Sequence, residues 1–234
     1  MALILSIETA TEICSAALLL DGNILSVRES NGSNEHSSLL TIYIDEVFKE
    51  AGYRMDQMDA VAVSMGPGSY TGLRIGISVA KGLCYSLEKH LIAVSTLKAM
   101  AFSAMNQHHE LLTCESLLCP MIDARRMEVF MALYDEQLIE VSPVEAVILT
   151  EETFLPYESK SILIFGNGAE KCQHLYNSNP NIKFPDRIHA TAVSVGLLAE
   201  EKFKNAEFEN TAYFEPFYLK DFIAGKPRVK GLRE

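Results

Sequence analysis

The stretch Gly66-Pro67-Gly68-Ser69-Tyr70-Thr71-Gly72-Leu73-Arg74-Ile75-Gly76 is the part of the sequence whose residue types and spacing come nearest to a reactive or binding site. It follows the apolar run Ala60-Val61-Ala62-Val63 and leads into a helical pattern that continues to about Leu87. That order reads as strand, glycine-rich turn, helix. Pro67 fixes φ while Gly66 and Gly68 permit positive φ, so the backbone can double back within a few residues. Ser69 or Thr71 can cap the helix by accepting a hydrogen bond from an otherwise unpaired N–H. Amides exposed there, with the positive end of the helix dipole, form a cradle for phosphate in which Gly66, Gly68 and Ser69 are the candidate contacts. The lysine and Ser/Thr of a P-loop are missing, and so is the spacing of a dinucleotide fingerprint. The same glycines equally suit a turn that docks its helix closely, and the residues alone do not separate the two readings.

Other chemistry finds less support. There is no His-Glu-x-x-His, no Gly-x-Ser-x-Gly and no cysteine in a protease-like setting. His36 beside Ser37 and Ser38 invites a Ser/His pairing, but a helix N-terminus with Ser37 near its cap explains the three residues more simply. Cys14, Cys84, Cys114, Cys119 and Cys172 show no metal-ligand spacing. An odd number of cysteines in or beside apolar runs fits reduced, cytoplasmic thiols better than a disulfide framework.

The elements that hold these residues follow from periodicity and turn chemistry. Leu3–Ile7 reads as a buried strand, Glu8–Glu12 as a polar turn and Cys14–Leu20 as a second strand. Asp21-Gly22 is a hairpin signal, and a third strand runs from Asn23 to about Ser30. Asn31–Asn34 is a loop. Helix is expected at His36–Ala51, stopped by Gly52, and again at Thr71–Leu87 and Thr96–Gln107. Strands are expected at Ala60–Ser64 and Leu91–Ser95. This βββαβαβα order implies a mixed sheet with helices on its faces. The pattern then restarts. Leu118–Arg126 leads to a strand at Glu128–Asp135, so each half places an acid, Glu8 or Asp123, near the end of an apolar strand ahead of a second strand. That is the mark of an internal duplication. A strand near Val144–Leu149, a short helix near Glu151–Leu155 and a strand at Ile162–Phe165 entering Gly166-Asn167-Gly168 follow. A helix at about Ala192–Lys204 and the segment Tyr213–Leu219 close the second half. Two units result, residues 1–108 and 109–224, with a basic tail at 225–234 carrying Lys226, Arg228, Lys230 and Arg233.

The chain has 234 residues and a net charge of −11, with 48% hydrophobic and 22% charged residues. This is ordinary globular composition, and the acidic balance argues against nonspecific nucleic-acid binding by the chain alone. It suits basic soluble partners. The N-terminus lacks a basic, apolar leader, and no run approaches the length of a membrane span, so a cytoplasmic protein is expected.

Gly66–Gly76 closely resembles the signature of the TsaB (YeaZ) family. Ile7-Glu8-Thr9-Ala10-Thr11, Glu35-His36-Ser37, Asp123-Ala124-Arg125-Arg126 with Glu128-Val129, and Pro216-Phe217-Tyr218-Leu219 match it too, in the right order across most of the chain. The resemblance implies an α/β ASKHA fold, the tandem of ribonuclease-H-like subdomains with mixed sheets shared by actin, sugar kinases and heat-shock chaperones. It implies a role in threonylcarbamoyladenosine modification of tRNA next to the anticodon. The partners would be a TsaD-like paralogue that carries the active site and a TsaE-like ATPase, with tRNA met through the complex. The chain itself would be catalytically silent, with no cofactor, and homodimeric when alone. ASKHA enzymes typically hold metal-bound phosphates with an Asp after the first strand. Here Glu8 and Asp123 occupy the two matching places and could share a hydrated Mg²⁺, or each could cap a turn. The His-x-x-x-His pair of TsaD falls on Thr96 and Met100, neither a usual ligand. The free-standing alternative is an ATP-dependent transferase or kinase using Glu8, Asp123 and the glycine turn.

Two helices carry more apolar residues than one covered face needs. In His36–Ala51, Leu40, Tyr43, Ile44, Val47 and Ala51 form one face, and Leu39, Ile42 and Phe48 widen it. In Thr71–Leu87, Leu73, Ile77, Ala80, Leu83, Cys84 and Leu87 are widened by Ile75 and Val79. Gly72, Gly76 and Gly82 cost helix propensity, which close approach of another backbone would justify. Both features suit a four-helix interface with two helices of another subunit, on the surface where the resemblance also puts a partner. Leu39, Ile42, Tyr43, Glu46, Ile75, Val79 and Leu83 are its expected contacts. The extra residues could instead meet other parts of the same chain. Arg74, Lys81 and Lys89 lie toward the polar side of the second helix, and an ion pair is expected within Asp123–Arg126.

Overall fold

The computed structural model describes residues 1–30, 35–186 and 188–219; the loop expected at 31–34 and the basic tail at 225–234 lie outside the described residues. The first sheet contains β1 (Leu3–Glu8), β2 (Ser15–Leu20), β3 (Asn23–Glu29), β4 (Ala60–Gly66) and β5 (His90–Ser95), in the order β3-β2-β1-β4-β5. Strand β1 pairs antiparallel with β2 and parallel with β4. The β2–β3 hairpin turns through Asp21 and Gly22 at φ 48° and 76°, the left-handed pair that a two-residue turn demands.

The second sheet contains β6 (Ser116–Asp123), β7 (Glu128–Tyr134), β8 (Glu140–Ile148), β9 (Ser161–Phe165) and β10 (Ile182–Lys183), in the order β10-β9-β6-β7-β8. It repeats the first. Its leading strand again sits at the centre, with a hairpin on one side and a parallel partner on the other. The duplication suggested by Glu8 and Asp123 is therefore one of topology, and the two acids are the last residues of equivalent strands, β1 and β6.

Helices α1 (His36–Ala51) and α2 (Tyr70–Leu87) cover one face of the first sheet. Alternation along β1 divides the work: Leu3, Leu5 and Ile7 meet Leu40, Ile44 and Val47 of α1 and Ile77, Ala80 and Cys84 of α2. Ile4 points the other way, toward α3 (Thr96–Gln107) and, past the single turn α4 (Gln173–Tyr176) in the sequence, α5 (Ala192–Lys204), with Ala99, Val195 and Ala199. The opposite side of α3, with Leu97, Met100, Ala101 and Ala104, packs on the second sheet. So α3 is shared by both sheets and buries apolar side chains on two sides, leaving Lys98, Asn106 and Gln107 exposed. Helix α5 falls within 109–224 by sequence but lies against the first sheet through Val195 and Ala199.

Two local expectations are corrected. No α-helix forms at Glu151–Leu155; that stretch is a turn in which Thr153 Oγ1 accepts from Thr150 N, running into a 3₁₀ turn at Leu155–Tyr157. So short a stretch gains little from helical hydrogen bonds alone, and Pro156 has no N–H to continue one. The strand expected near Val144–Leu149 starts earlier, at Glu140, and is irregular against β7 on either side of Leu133.

Candidate functional site

The glycine turn is built as the sequence suggests and is used mainly within the chain. Gly66 takes φ 115°, open to few residues but glycine. Ser69, rather than Thr71, caps α2, its Oγ accepting from Gly72 N at 3.3 Å. Ser69 N donates to the Ala10 carbonyl at 2.6 Å and Thr9 Oγ1 to the Gly72 carbonyl at 2.8 Å. These bonds draw α2 onto the β1–β2 turn. A Cβ at Gly68 would stand 2.3 Å from Ala10 O, at Gly72 2.1 Å from Thr9 O and at Gly76 2.3 Å from Thr9 Oγ1. The close approach that Gly72 and Gly76 permit is thus to Thr9 of this chain, to its carbonyl at Gly72 and its side chain at Gly76. Gly82 has open space around it.

Between the two sheets' turn ends lies a cleft of about 460 Å³. Its walls are the β1–β2 turn (Ala10–Glu12), the start of α2 (Pro67–Thr71), the β6–β7 turn (Ile122–Arg125) and the closing segment (Phe217–Leu219). Gly68, Ser69 and Asp123 line it; Glu8 and Gly66 do not. Glu8 is fully buried under the turn, where Oε1 accepts from Ala10 N at 2.5 Å and Oε2 has no hydrogen-bond partner. Burial pushes its carboxyl up to about 7, against the pull of the backbone amides, Ser64 and a more distant His189. Asp123 is half-exposed and held twice: Oδ1 takes Lys171 Nζ at 2.5 Å and Arg125 N at 2.5 Å. Partial burial pushes this carboxyl up, but the bonds from Lys171 and the Arg125 amide, with the charges of both residues, outweigh it and hold the carboxyl below its usual value. The ion pair expected within Asp123–Arg126 forms instead with Lys171, on the far side of the second sheet's glycine turn. Each acid caps the turn that follows its own strand, the same local job in both halves. The sequence gives little warning of Lys171, since 48 residues separate it from Asp123.

Thr96 and Met100 are buried at α3, and Met100 is part of the core. His36 is turned inward, its Nε2 donating to the Thr11 carbonyl at 2.7 Å, while Ser37 points to solvent. The α1 N-cap is Glu35, without a side-chain cap, so Ser37 does not serve there as expected. Among the described residues, no three His, Cys, Asp or Glu side chains come together to hold a metal ion.

On the outer surface of α1 and α2, Ile42 is 50% exposed. Leu39, Tyr43, Ile75, Val79 and Leu83 are half-buried at the edge of the core they flank. Phe48, expected in the outer arc, is buried in that core. Glu46 accepts from Arg28 Nε at 2.8 Å. Arg74 is exposed and Lys81 half-buried, and both bond to the returning chain. Arg74 Nε donates to Tyr218 Oη, and Lys81 Nζ to the carbonyls of Ala212 and Phe214.

The sequence profile of the family described as "TsaD: tRNA N6-adenosine threonylcarbamoyltransferase" matches residues 27–230. An Escherichia coli protein named "tRNA threonylcarbamoyladenosine biosynthesis protein TsaB" is 37% identical over 229 residues, covering 95% of this chain and 96% of that one. Among solved structures, YeaZ from Pseudomonas aeruginosa superposes with a TM-score of 0.79 at 26% identity, covering 94% of this chain and 100% of that one. The activator of the 2-hydroxyisocaproyl-CoA dehydratase from Clostridium difficile, at 9% identity and a TM-score of 0.52 over 88% of this chain and 97% of that one, shares the fold alone. The two mixed sheets and these neighbours make the fold ASKHA-like. At that identity over nearly the full length of both sequences, and within a TsaD-type domain, this chain belongs to the TsaB family.

Proposed function

We propose that the chain serves threonylcarbamoyladenosine biosynthesis on tRNA as a non-catalytic cytoplasmic subunit. Helices α1 and α2 would receive two helices of a TsaD-like paralogue. A TsaE-like ATPase and the tRNA would join through that complex, and the same face would close a homodimer when the paralogue is absent. The names of the relatives support the pathway. The observation that carries the subunit role is the apolar strip formed by Leu39, Ile42 and Tyr43 on one helix and Ile75, Val79 and Leu83 on its neighbour, partly open to solvent. Half-covered apolar side chains at the edge of a core are what a partner helix pair would finish burying.

The lack of a ready reactive group fits the same reading. Glu8 is sealed from the cleft and Asp123 is occupied by Lys171. Co-expression with the TsaD-like paralogue, size-exclusion chromatography and assay of the modified nucleoside test the reading together. Ile42→Asp places a charge at the centre of the strip, and the expected outcome is at least a hundredfold weaker complex, roughly the loss of a hot-spot residue. The monomer should keep its melting temperature, because Ile42 is half in water already. An undiminished complex refutes the surface. The rival reading, an ATP-dependent transferase, rests on the cleft beside the α2 N-terminus. Calorimetric titration of the isolated chain with Mg-ATP, giving tight binding and turnover, would favour it.

A further inference from the structure

After α5 the chain runs back across the first sheet. Glu209 N donates to Leu91 O at 2.8 Å, bridging the edge of β5. Asn210 Oδ1 turns the chain by accepting from Ala212 N and Tyr213 N. The carbonyls of Ala212 and Phe214 then take Lys81 Nζ at 3.3 and 2.9 Å, and Phe214 rests on the core beneath α1 and α2. Farther on, Phe217 N donates to Met65 O at 2.8 Å, and Tyr218 Oη accepts from Arg74 Nε at 3.0 Å. The Tyr218 ring lies 5.1 Å from that of Tyr70, over which the Arg74 guanidinium sits at 4.1 Å. The last described residues, Phe217–Leu219, form one wall of the cleft.

Arg74 and Lys81 are two helical turns apart on one flank of α2, while Ile75, Val79 and Leu83 occupy the other. One stiff helix therefore presents its apolar flank outward and holds the returning segment with its cationic flank. The bonds that hold the segment are at or near the surface, and only Phe214, itself half-buried, packs against the core. Segments so attached open at a small fraction of the cost of global unfolding.

We propose that residues 209–219 are a detachable strap that couples the α1–α2 face to the inter-lobe cleft. A partner that packs on Ile75, Val79 and Leu83 fixes α2, and α2 in turn fixes Lys81 and Arg74. The strap is then held in place and Phe217–Leu219 are set at the cleft wall. By thermodynamic reciprocity, loosening the strap weakens partner docking by the same factor, although no strap residue need touch the partner. The coupling rests on the partner surface proposed above.

The test is hydrogen exchange by mass spectrometry on the full chain, as wild type, Lys81→Met and Tyr218→Phe, with and without the TsaD-like paralogue. In the free protein, peptides covering 211–219 should exchange roughly fivefold to tenfold faster in Tyr218→Phe, which loses one net hydrogen bond, and at least as much faster in Lys81→Met, which loses two, with β1 and β4 unchanged. In the wild-type complex the strap should exchange at least several-fold more slowly, and Lys81→Met should weaken the complex by a matching factor. If the variants leave strap exchange unchanged, or the complex forms without slowing it, the strap proposal is overturned while the partner face stands. If no complex forms, the partner reading fails, and the coupling fails with it.

Discussion

Replacing Glu8 by Gln isolates the energetic consequence of burying a carboxyl under the cleft floor. Glu8 is wholly inaccessible, and its carboxyl titrates near 7 in place of 4.5. At about 1.4 kcal/mol per pH unit, the charged form costs the fold up to roughly 3 kcal/mol. The folded chain holds this proton more tightly than the unfolded chain, so its contribution is complete below about pH 4.5. It is lost progressively as the pH rises to about 7 and then levels off. Glutamine keeps an oxygen for Ala10 N and never ionises. Its amide can also meet Ser64 Oγ, which neighbours the carboxyl. Urea unfolding followed by circular dichroism at pH 4.5, 6, 7 and 8 should therefore show the variant gaining on the wild type, by up to roughly 3 kcal/mol across the range. Taking the difference between the two proteins cancels groups that titrate alike in both, such as Asp123. Parallel stability curves would refute the reasoning, because they would mean that Glu8 ionises in the fold at no extra cost.

Two glycines of α2 should respond in opposite directions. Gly76→Ala forces a methyl against Thr9 Oγ1 and should destabilise by about 1–3 kcal/mol, whereas Gly82→Ala meets open space and should stabilise by up to about 1 kcal/mol in the same urea assay. Lys171→Met should let the Asp123 carboxyl return toward its usual value, seen by carbon-13 NMR titration. Because Asp123 is half-exposed, the loss of stability at neutral pH should stay under about 1 kcal/mol and disappear in acid, where the carboxyl is protonated in both proteins.

The elements most legible in the sequence were those whose signals are local. Gly52 stops α1 in the left-handed conformation, Asp21-Gly22 makes the hairpin, and α3 and α5 have the expected bounds, with Ser95 and Thr191 as the caps that the structure adds. What could not be read depends on residues far apart in the chain. The sequence shows glycines within α2, but not that Thr9, from the β1–β2 turn, occupies the space beside Gly72 and Gly76. It shows cations at Arg74 and Lys81, but not that the chain returns more than a hundred residues later to accept their bonds. Phe48 illustrates the same limit from the apolar side. Its place on the wheel suggested the outer surface, yet the bulk of the ring reaches the core.

The duplicated fold bears on the proposed binding role through the two acids that end its equivalent strands. Glu8 and Asp123 end equivalent strands and both cap the turn that follows, so their common place in the repeat gives them a common local role. Their surroundings then diverge. One carboxyl is desolvated until it shares its proton near neutrality, and the other is neutralised by Lys171. A group that holds a metal-bound phosphate must be ionised, reachable and free of a competing cation, and each acid fails a different one of these conditions. Glu8→Gln in complex with the paralogue should therefore leave formation of the modified nucleoside intact while changing the pH dependence of stability. Loss of the nucleoside from a complex that still assembles would restore Glu8 to a chemical role.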